Sequence, residues 1–260
     1  MPFPESRRVI YDKNPLEQVI AQLRFPSILR IEAELPAAFQ DKIRDDYPSF
    51  DAGEESLLPE GIPAEIRRML GPLGASAARG YAFMSRDGIW RVNLNRDFVA
   101  LTCTKYRHWG EFRTRLMTVL EHLMTVYKPS FYTRIGLRYR NLIDRGELGL
   151  TNVPWSELFQ THLAAELASE MADLVEHNSH QVVVALPNRH GTVRILHGLV
   201  GAAGANVYVI DNDFFSEERV EPQHAAEKLD QFNRYSGGLF RSFIKDKLDR
   251  AMGPTTGATA

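Results

Sequence analysis

The spacing of apolar residues along the chain predicts amphipathic helices and short strands. Apolar side chains recur every three or four residues, as they do on one face of a helix, over 35–47, 109–127, 155–171 and 223–252. Stretches rich in Val, Ile, Tyr and Phe that are bounded by Gly, Asn, Asp or Pro are typical of strands. They occur at 19–25, 80–85, 89–93, 97–104, 130–141, 180–186, 192–200 and 206–212.

The predicted elements follow the same order twice, namely strand, helix, three strands and helix. The first strand of each set places an Arg between a Leu and an aromatic residue, at 23–25 and again at 137–139. We therefore interpret the chain as an α+β protein with a duplicated strand-helix-three-strand-helix unit, its halves at 16–129 and 130–254. Pairing the halves into one domain removes an exposed sheet edge from each. The expected result is one antiparallel sheet with the helices packed on one face and the other face open.

Three segments are predicted to lie outside the repeated unit. Residues 1–15 are polar and interrupted by proline, which is typical of an extended arm. Residues 49–79 are rich in Gly, Pro, Ala and acidic side chains, which predicts a long excursion with one short helix at 64–70. Residues 255–260 are small and polar, and we expect a disordered tail.

Composition narrows the class of protein. The chain has 260 residues, a formal net charge of −2 and one cysteine, Cys103. This charge gives no overall attraction to nucleic acid or an anionic membrane. One cysteine excludes an internal disulfide and a Cys-rich zinc site. The N-terminus lacks a secretory signal, and no apolar stretch reaches the roughly 18 residues that span a bilayer. We therefore expect a cytoplasmic protein without a membrane contact.

The strand at 130–141 carries the strongest candidate binding surface. Arg134, Arg138 and Arg140 have even spacing, so in a strand they share one face, and Tyr132 is expected to join them. Arg24 has a comparable position in the first half. Guanidinium groups bind phosphates and carboxylates through paired hydrogen bonds, which indicates a groove for an anionic ligand or an acidic protein partner. The alternative is that these arginines only pair with Asp and Glu on neighbouring strands.

A second basic and aromatic cluster, from Lys105 to Trp109, lies where a predicted strand leads into a helix. Such a mixture can stack on bases and neutralise phosphates, so nucleic-acid contact is one interpretation. The other is that the aromatic side chains anchor the start of the helix. Lys105 also extends the possible binding surface around the central strand.

No pattern predicts a catalytic residue, a metal or a cofactor. The chain has no nucleophile elbow, phosphate-binding loop or dinucleotide-binding glycine pattern. Histidines are frequent between 177 and 197, but their spacing matches no known metal-ligand pattern. Cys103 lies in an apolar strand, where burial is expected to raise the pKa of its thiol.

Several stretches distributed over almost the whole chain carry a family resemblance. They are QLRFP at 22–26, LT at 101–102 with Tyr106 and Trp109, FYTRIGLRY at 131–139, VYVID at 207–211 with FF at 214–215, and LFR at 239–241. Together they resemble a sporadically distributed family of prokaryotic proteins, although Arg140 stands where that family has Val or Ile. The resemblance implies a bacterial or archaeal protein and no catalytic residues. Patchy distribution is typical of mobile or defence genes, which implies an accessory role in a defence or toxin–antitoxin-like locus.

These observations lead to three hypotheses of function. The first is a non-enzymatic protein that binds a protein partner or an anionic ligand through Arg24, Arg134, Arg138, Arg140 and Tyr132. The second is a nucleic-acid-binding protein that uses the same face. The third is an enzyme whose site has no recognisable motif. A homo-oligomer is compatible with all three.

Overall fold

A large antiparallel sheet organises the chain. The computed structural model of the protein describes residues 9–54, 79–187, 190–200 and 207–256. The strands are β1 (Val9–Tyr11), β2 (Leu16–Arg24), β3 (Ser49–Glu54), β4 (Arg79–Met84), β5 (Trp90–Asn95), β6 (Phe98–Cys103), β7 (Arg134–Asp144), β8 (His180–Ala185), β9 (Thr192–Val200), β10 (Val207–Ser216) and β11 (Pro254–Thr256). Nine of them form one sheet in the order β3-β4-β5-β6-β2-β7-β10-β9-β8, and β1 pairs separately with β11.

Seven α-helices lie in the described parts of the chain. They are α1 (Leu29–Ala33), α2 (Ala37–Ile43), α3 (Trp109–Val126), α4 (Trp155–Leu158), α5 (Thr161–Ala164), α6 (Ala225–Phe243) and α7 (Asp246–Ala251). Short 3-10 turns lie at Ala165–Ala168, Ala172–Leu174 and Pro222–His224. No helix in these parts is both long enough and apolar enough to cross a membrane. The predicted α+β class with one large antiparallel sheet is confirmed.

The centre of the sheet is the antiparallel pair of β2 and β7. Outward from β2 the strands are β6, β5 and β4, and outward from β7 they are β10, β9 and β8. In each half, therefore, the strand that comes last in the chain, β6 or β10, lies next to the strand that comes first, β2 or β7. β3 continues the sheet beyond β4, at a place where the sequence indicated only an irregular excursion. The predicted helix at 64–70 lies outside the described residues.

The main core lies between the helices and one face of the sheet. Along β2, Val19, Ala21 and Leu23 are fully buried on this face. Phe112 of α3 packs on Trp90 of β5, with ring centroids 5.8 Å apart. α6 covers the other half, where the hydroxyl of Tyr139 in β7 donates to the side-chain oxygen of Asn233 at 2.9 Å.

The alternate residues of each strand point to the opposite face, which we call the open face. It carries a small separate apolar cluster formed by Ile20, Phe98 and Ala100. These three come from β2 and β6, and no described helix contributes a residue to the cluster. The buried apolar residues of the described helices belong to the main core instead.

Two of the predicted helices are too long, and one contact between them explains both differences. The segment 155–171 consists of α4, α5 and 3-10 turns, and 223–252 is divided into α6 and α7. Phe159 and Ile244 form an isolated antiparallel bridge, flanked by Gln160 N–H donating to Phe243 O and Lys245 N–H donating to Leu158 O, each at 2.8 Å. Because these bonds require extended backbone at both places, neither helix continues through the bridge.

Smaller differences lie near the N-terminus. The predicted helix at 35–47 is shorter and covers only α2, and α1 precedes it in a stretch with no predicted helix. The pairing of β1 with β11 was also not predicted, because it joins two short segments from opposite ends of the chain. Such long-range pairs leave no periodic signal in a strand of three residues.

Candidate functional site

Ion pairs between neighbouring strands line the open face along β7. Arg138 contacts both carboxylate oxygens of Asp211 in β10, with Nε–Oδ1 at 2.7 Å and Nη2–Oδ2 at 2.5 Å. Arg140 lies 2.9 Å from the carboxylate of Glu17 in β2. These two arginines therefore follow the alternative interpretation, in which the strand's guanidiniums pair with nearby acids.

The Arg138–Asp211 pair is a buried, two-pronged contact. Burial opposes the charge on the guanidinium, but the attraction and hydrogen bonds of Asp211 outweigh that effect and raise the pKa of Arg138. Removing one partner of such a pair leaves a buried charge without compensation. The arrangement stabilises the junction of β7 and β10 and offers few donors to a ligand.

Arg134 is held in place by three neighbours. Its Nη1 donates to Gln22 Oε1 at 3.3 Å and its Nη2 to Asp213 Oδ2 at 2.9 Å, and its guanidinium carbon lies 4.8 Å from the centre of the Phe215 ring. To reach them, the side chain folds back over Gly136. A Cβ at Gly136 would lie 2.4 Å from Nη1 of Arg134. The absence of a side chain at 136 thus makes room for the guanidinium.

Arg24 lies directly opposite Arg134 across the β2–β7 pair. Its Nε donates to Gln22 Oε1 at 3.4 Å, so one neutral amide oxygen serves both guanidiniums. No carboxylate among the described residues lies within salt-bridge distance of Arg24.

Arg194 of β9 completes a group that we call the three-arginine cluster: Arg24, Arg134 and Arg194. Its guanidinium carbon lies 5.6 Å from the centre of the Phe215 ring, the same ring that Arg134 contacts. Arg194 lies directly opposite Asp213 across the β9–β10 pair, but it forms no salt bridge with a carboxylate in the described chain. The cluster therefore combines three cations with Asp213 as its one directly bonded acid.

The electrostatics of the cluster follow from this composition. Burial lowers the pKa of Arg134, the charge of Asp213 raises it, and the charges of Arg24 and Arg194 lower it further. The charge of the exposed Glu217 also raises the pKa of Arg134, by more than the charge of Arg194 lowers it. Because arginine remains protonated under all ordinary conditions, the three guanidiniums stay positively charged, and Asp213 is the one acid in the described chain that forms a salt bridge with any of them.

The other predicted site residues lie elsewhere. Tyr132 precedes β7, forms an isolated bridge with Val220 and packs in the main core, where burial raises its pKa to about 12. It does not reach the open face, because the regular strand begins only at Arg134. Trp109 is buried at the start of α3 and donates from Nε1 to Asp230 Oδ1 at 2.7 Å. Lys105 is exposed after β6.

Sequence reasoning missed Arg194, Gln22 and Gly136 as members of the site. Each lies at an alternate position of a predicted strand, so its face was predictable within that strand. Their meeting depends on the register between β2, β7, β10 and β9, which a single sequence does not reveal.

A histidine group lies at the other side of the sheet, facing the core. His180 and His197 are cross-strand neighbours with stacked rings 5.2 Å apart, and His180 Nε2 lies 2.9 Å from Glu166. His197 Nδ1 lies 2.6 Å from the Tyr208 hydroxyl, which donates to Leu163 O at 2.9 Å. Within the described ranges, no three His, Cys, Asp or Glu side chains are grouped so that they could hold a metal ion.

Gly136→Ala tests whether the fold makes room for Arg134. In most strands this change is favourable, because alanine loses less backbone entropy than glycine. Here we expect a loss of roughly 1–2 kcal/mol in unfolding free energy, since the new methyl displaces a buried guanidinium from its acceptors. Urea denaturation measures it. With Arg134→Ala already present, Gly136→Ala should cost nothing; an equal cost in both backgrounds would refute the explanation.

The lowered pKa of His197 predicts that the protein loses stability in mild acid. Burial, followed by the charges of His180 and His162, lowers the pKa of His197 to about 4. Between about pH 6.5 and pH 4, His197 is protonated in the unfolded chain but neutral in the folded chain. The free energy of unfolding therefore falls as the pH falls. From pH 7 to 4.5 we expect His197 to account for roughly 2–3 kcal/mol of the loss.

The measurement compares urea denaturation of the parent, His197→Gln and the control His177→Gln at both pH values. His177 is exposed, so the control should keep the parent's pH dependence. The prediction fails if His197→Gln loses as much stability in acid as the parent does.

Comparison with known proteins adds no family to this description. A scan against models of protein families matches none of them to this chain, and a search of the curated proteins finds no similar sequence. The open face is therefore interpreted from its own geometry, in which paired arginines occupy the middle of β7 and the three-arginine cluster lies where β7 begins.

Proposed function

We propose that this is a non-enzymatic protein that uses the open face of its sheet to bind a ligand or protein partner carrying negative charge. The observation that supports the proposal is the contrast along that face. Arg138 and Arg140 each have a carboxylate partner, whereas Arg24 and Arg194 have none in the described chain. The binding surface is accordingly the three-arginine cluster.

The energetic argument concerns like charges on neighbouring strands. Arg24 and Arg134 are directly opposite, an arrangement that is destabilising in a sheet. Arginines that only keep a surface soluble can pair with acids on neighbouring strands, as Arg138 pairs with Asp211. An anion placed against the cluster offsets the repulsion and forms charge-assisted hydrogen bonds with guanidinium groups. The relief of this repulsion and the new hydrogen bonds would supply the binding energy, and neither requires a catalytic group.

Nucleic acid is the alternative ligand for the same surface. Sequence-independent binding of a single strand needs aromatic rings that are free to stack on bases. On the open face Phe98 is only 5% exposed, and the Phe215 ring already contacts two guanidiniums. These contacts favour recognition of an anionic group over recognition of bases.

We also propose that the two halves of the sheet, β2 to β6 and β7 to β10, arose by duplication. The matching strand order outward from β2 and β7 supports this origin. Membership of the sporadic prokaryotic family, and with it an accessory or regulatory role in a defence or toxin–antitoxin-like locus, is a further proposal. It is supported by the stretches at 22–26 and 131–139, which overlap the end of β2 and the first half of β7.

The binding proposal predicts that an acidic probe depends on the cluster. Fluorescence anisotropy with a labelled polyglutamate peptide compares the parent with Arg24→Ala/Arg194→Ala. We expect at least a tenfold weaker affinity, because two unpaired guanidiniums are lost. The control Arg86→Ala/Arg107→Ala removes the same charge from exposed positions and should change affinity less than twofold.

Equal binding by the parent and the cluster variant would contradict the proposal. A labelled single-stranded oligonucleotide, titrated in rising salt, provides the comparison with nucleic acid, since phosphate contacts weaken steeply as salt increases. Tighter, cluster-dependent binding of the oligonucleotide than of the peptide would favour the alternative.

A further inference from the structure

Gln22 is a neutral partner of two arginines, whereas Arg138 and Arg140 on the same face each have an acidic partner. Its amide oxygen accepts hydrogen bonds from Arg24 Nε at 3.4 Å and Arg134 Nη1 at 3.3 Å. Further along the same face, the groups that contact Arg138 and Arg140 are the carboxylates of Asp211 and Glu17. Gln22 is 6% exposed, so a neutral dipole lies between two cations in a largely desolvated place.

Arg24 and Arg134 have more N–H groups than the hydrogen bonds that they donate in the described chain. A guanidinium has five N–H groups. Arg134 directs one to Gln22 and one to Asp213, and Arg24 directs only its Nε to Gln22. The terminal nitrogens of Arg24 therefore have no acceptor among the described residues. They belong to a half-buried side chain that stands beside a fixed second guanidinium.

The number of arginines without a salt bridge indicates how much negative charge a fitting anion carries. Arg24 and Arg194 each lack a carboxylate, while Asp213 is bonded to Arg134. A carboxylate ligand brings one negative charge, whereas a phosphate monoester brings about −1.5 to −2 at neutral pH and three acceptor oxygens. A tetrahedral oxyanion also presents oxygens to two guanidiniums on different strands at once.

We propose that Arg24, Gln22 and Arg134 form a phosphate-binding site, in which a phosphate group accepts hydrogen bonds from the terminal nitrogens of Arg24 and from the remaining N–H groups of Arg134. Arg194 contributes longer-range attraction from the far side of Phe215. Gln22 holds the two guanidiniums in position without neutralising them. The inference rests on the proposed function and names the charged group that the open face recognises.

Thermal unfolding with added anions tests the site. Sodium phosphate, glycerol 3-phosphate, sodium acetate and sodium chloride are compared at equal ionic strength and pH. We expect the two phosphates to raise the parent's Tm by about 3 °C at ten times their Kd, with a smaller effect of acetate and none of chloride. A rise with inorganic phosphate alone would mean that the site takes the free ion, whereas a rise with both means that it accepts a monoester.

Gln22→Glu is the decisive variant, because it supplies the missing negative charge at nearly the same shape. It should raise Tm in chloride and abolish the phosphate effect. Gln18→Glu is the matched control: it is the same substitution, four residues away on the same face and opposite Arg140, which already has Glu17. The control should keep the full phosphate effect. Arg24→Gln, which removes donors without adding charge, should also abolish it.

The result that overturns the site is a parent without a phosphate effect, or a Gln22→Glu variant that folds and keeps the parent's effect. The two proposals fail separately. If phosphate has no effect while polyglutamate binding still depends on Arg24 and Arg194, the open face binds acidic partners and the phosphate site is wrong. If phosphate has no effect and polyglutamate binding is independent of the cluster, the proposed function is wrong as well.

Discussion

The antiparallel pairing of β2 with β7 is the constraint on which the rest of the structure depends. Its register places Arg24 opposite Arg134 and Gln22 opposite Gly136. A shift of one residue would move each set of side chains to the other face, which would bury the arginines under the helices and expose the core residues. The same pair joins the two halves, so the central seam of the sheet and the candidate site are one feature.

Charge is distributed unevenly along this seam, because some arginines of the open face have a carboxylate partner and Arg24 has none in the described chain. Arg138 has a two-pronged partner in Asp211, and breaking that pair would leave a buried charge. At the start of β7, Arg134 shares the amide oxygen of Gln22 with Arg24 and also pairs with Asp213, and a glycine keeps the space that Arg134 needs. The fold thus holds like charges close together in a defined geometry, and the proposed anion binding depends on this preorganisation.

The sequence predicts much of the sheet and only part of the site. Alternation along β7 correctly places Arg134, Arg138 and Arg140 on one face, since that inference needs a single strand. Arg194 and Gln22 enter the site through the register of other strands, which sequence periodicity does not contain. Tyr132 leaves the face because the strand begins later than its residue types suggest, and the bridge at Phe159 interrupts two helices whose apolar spacing is otherwise regular.

A phosphate group bound at the proposed site would lie between the two opposed guanidiniums of Arg24 and Arg134, so both should respond to it. The most direct test is a titration with phosphate followed by nuclear magnetic resonance of the arginine Nε–Hε groups, assigned with single Arg→Lys variants. The account predicts that the Arg24 and Arg134 signals shift together with one saturating Kd, while that of Arg138, held by Asp211, stays in place. Unchanged Arg24 and Arg134 signals, or equal shifts at exposed arginines, would contradict it.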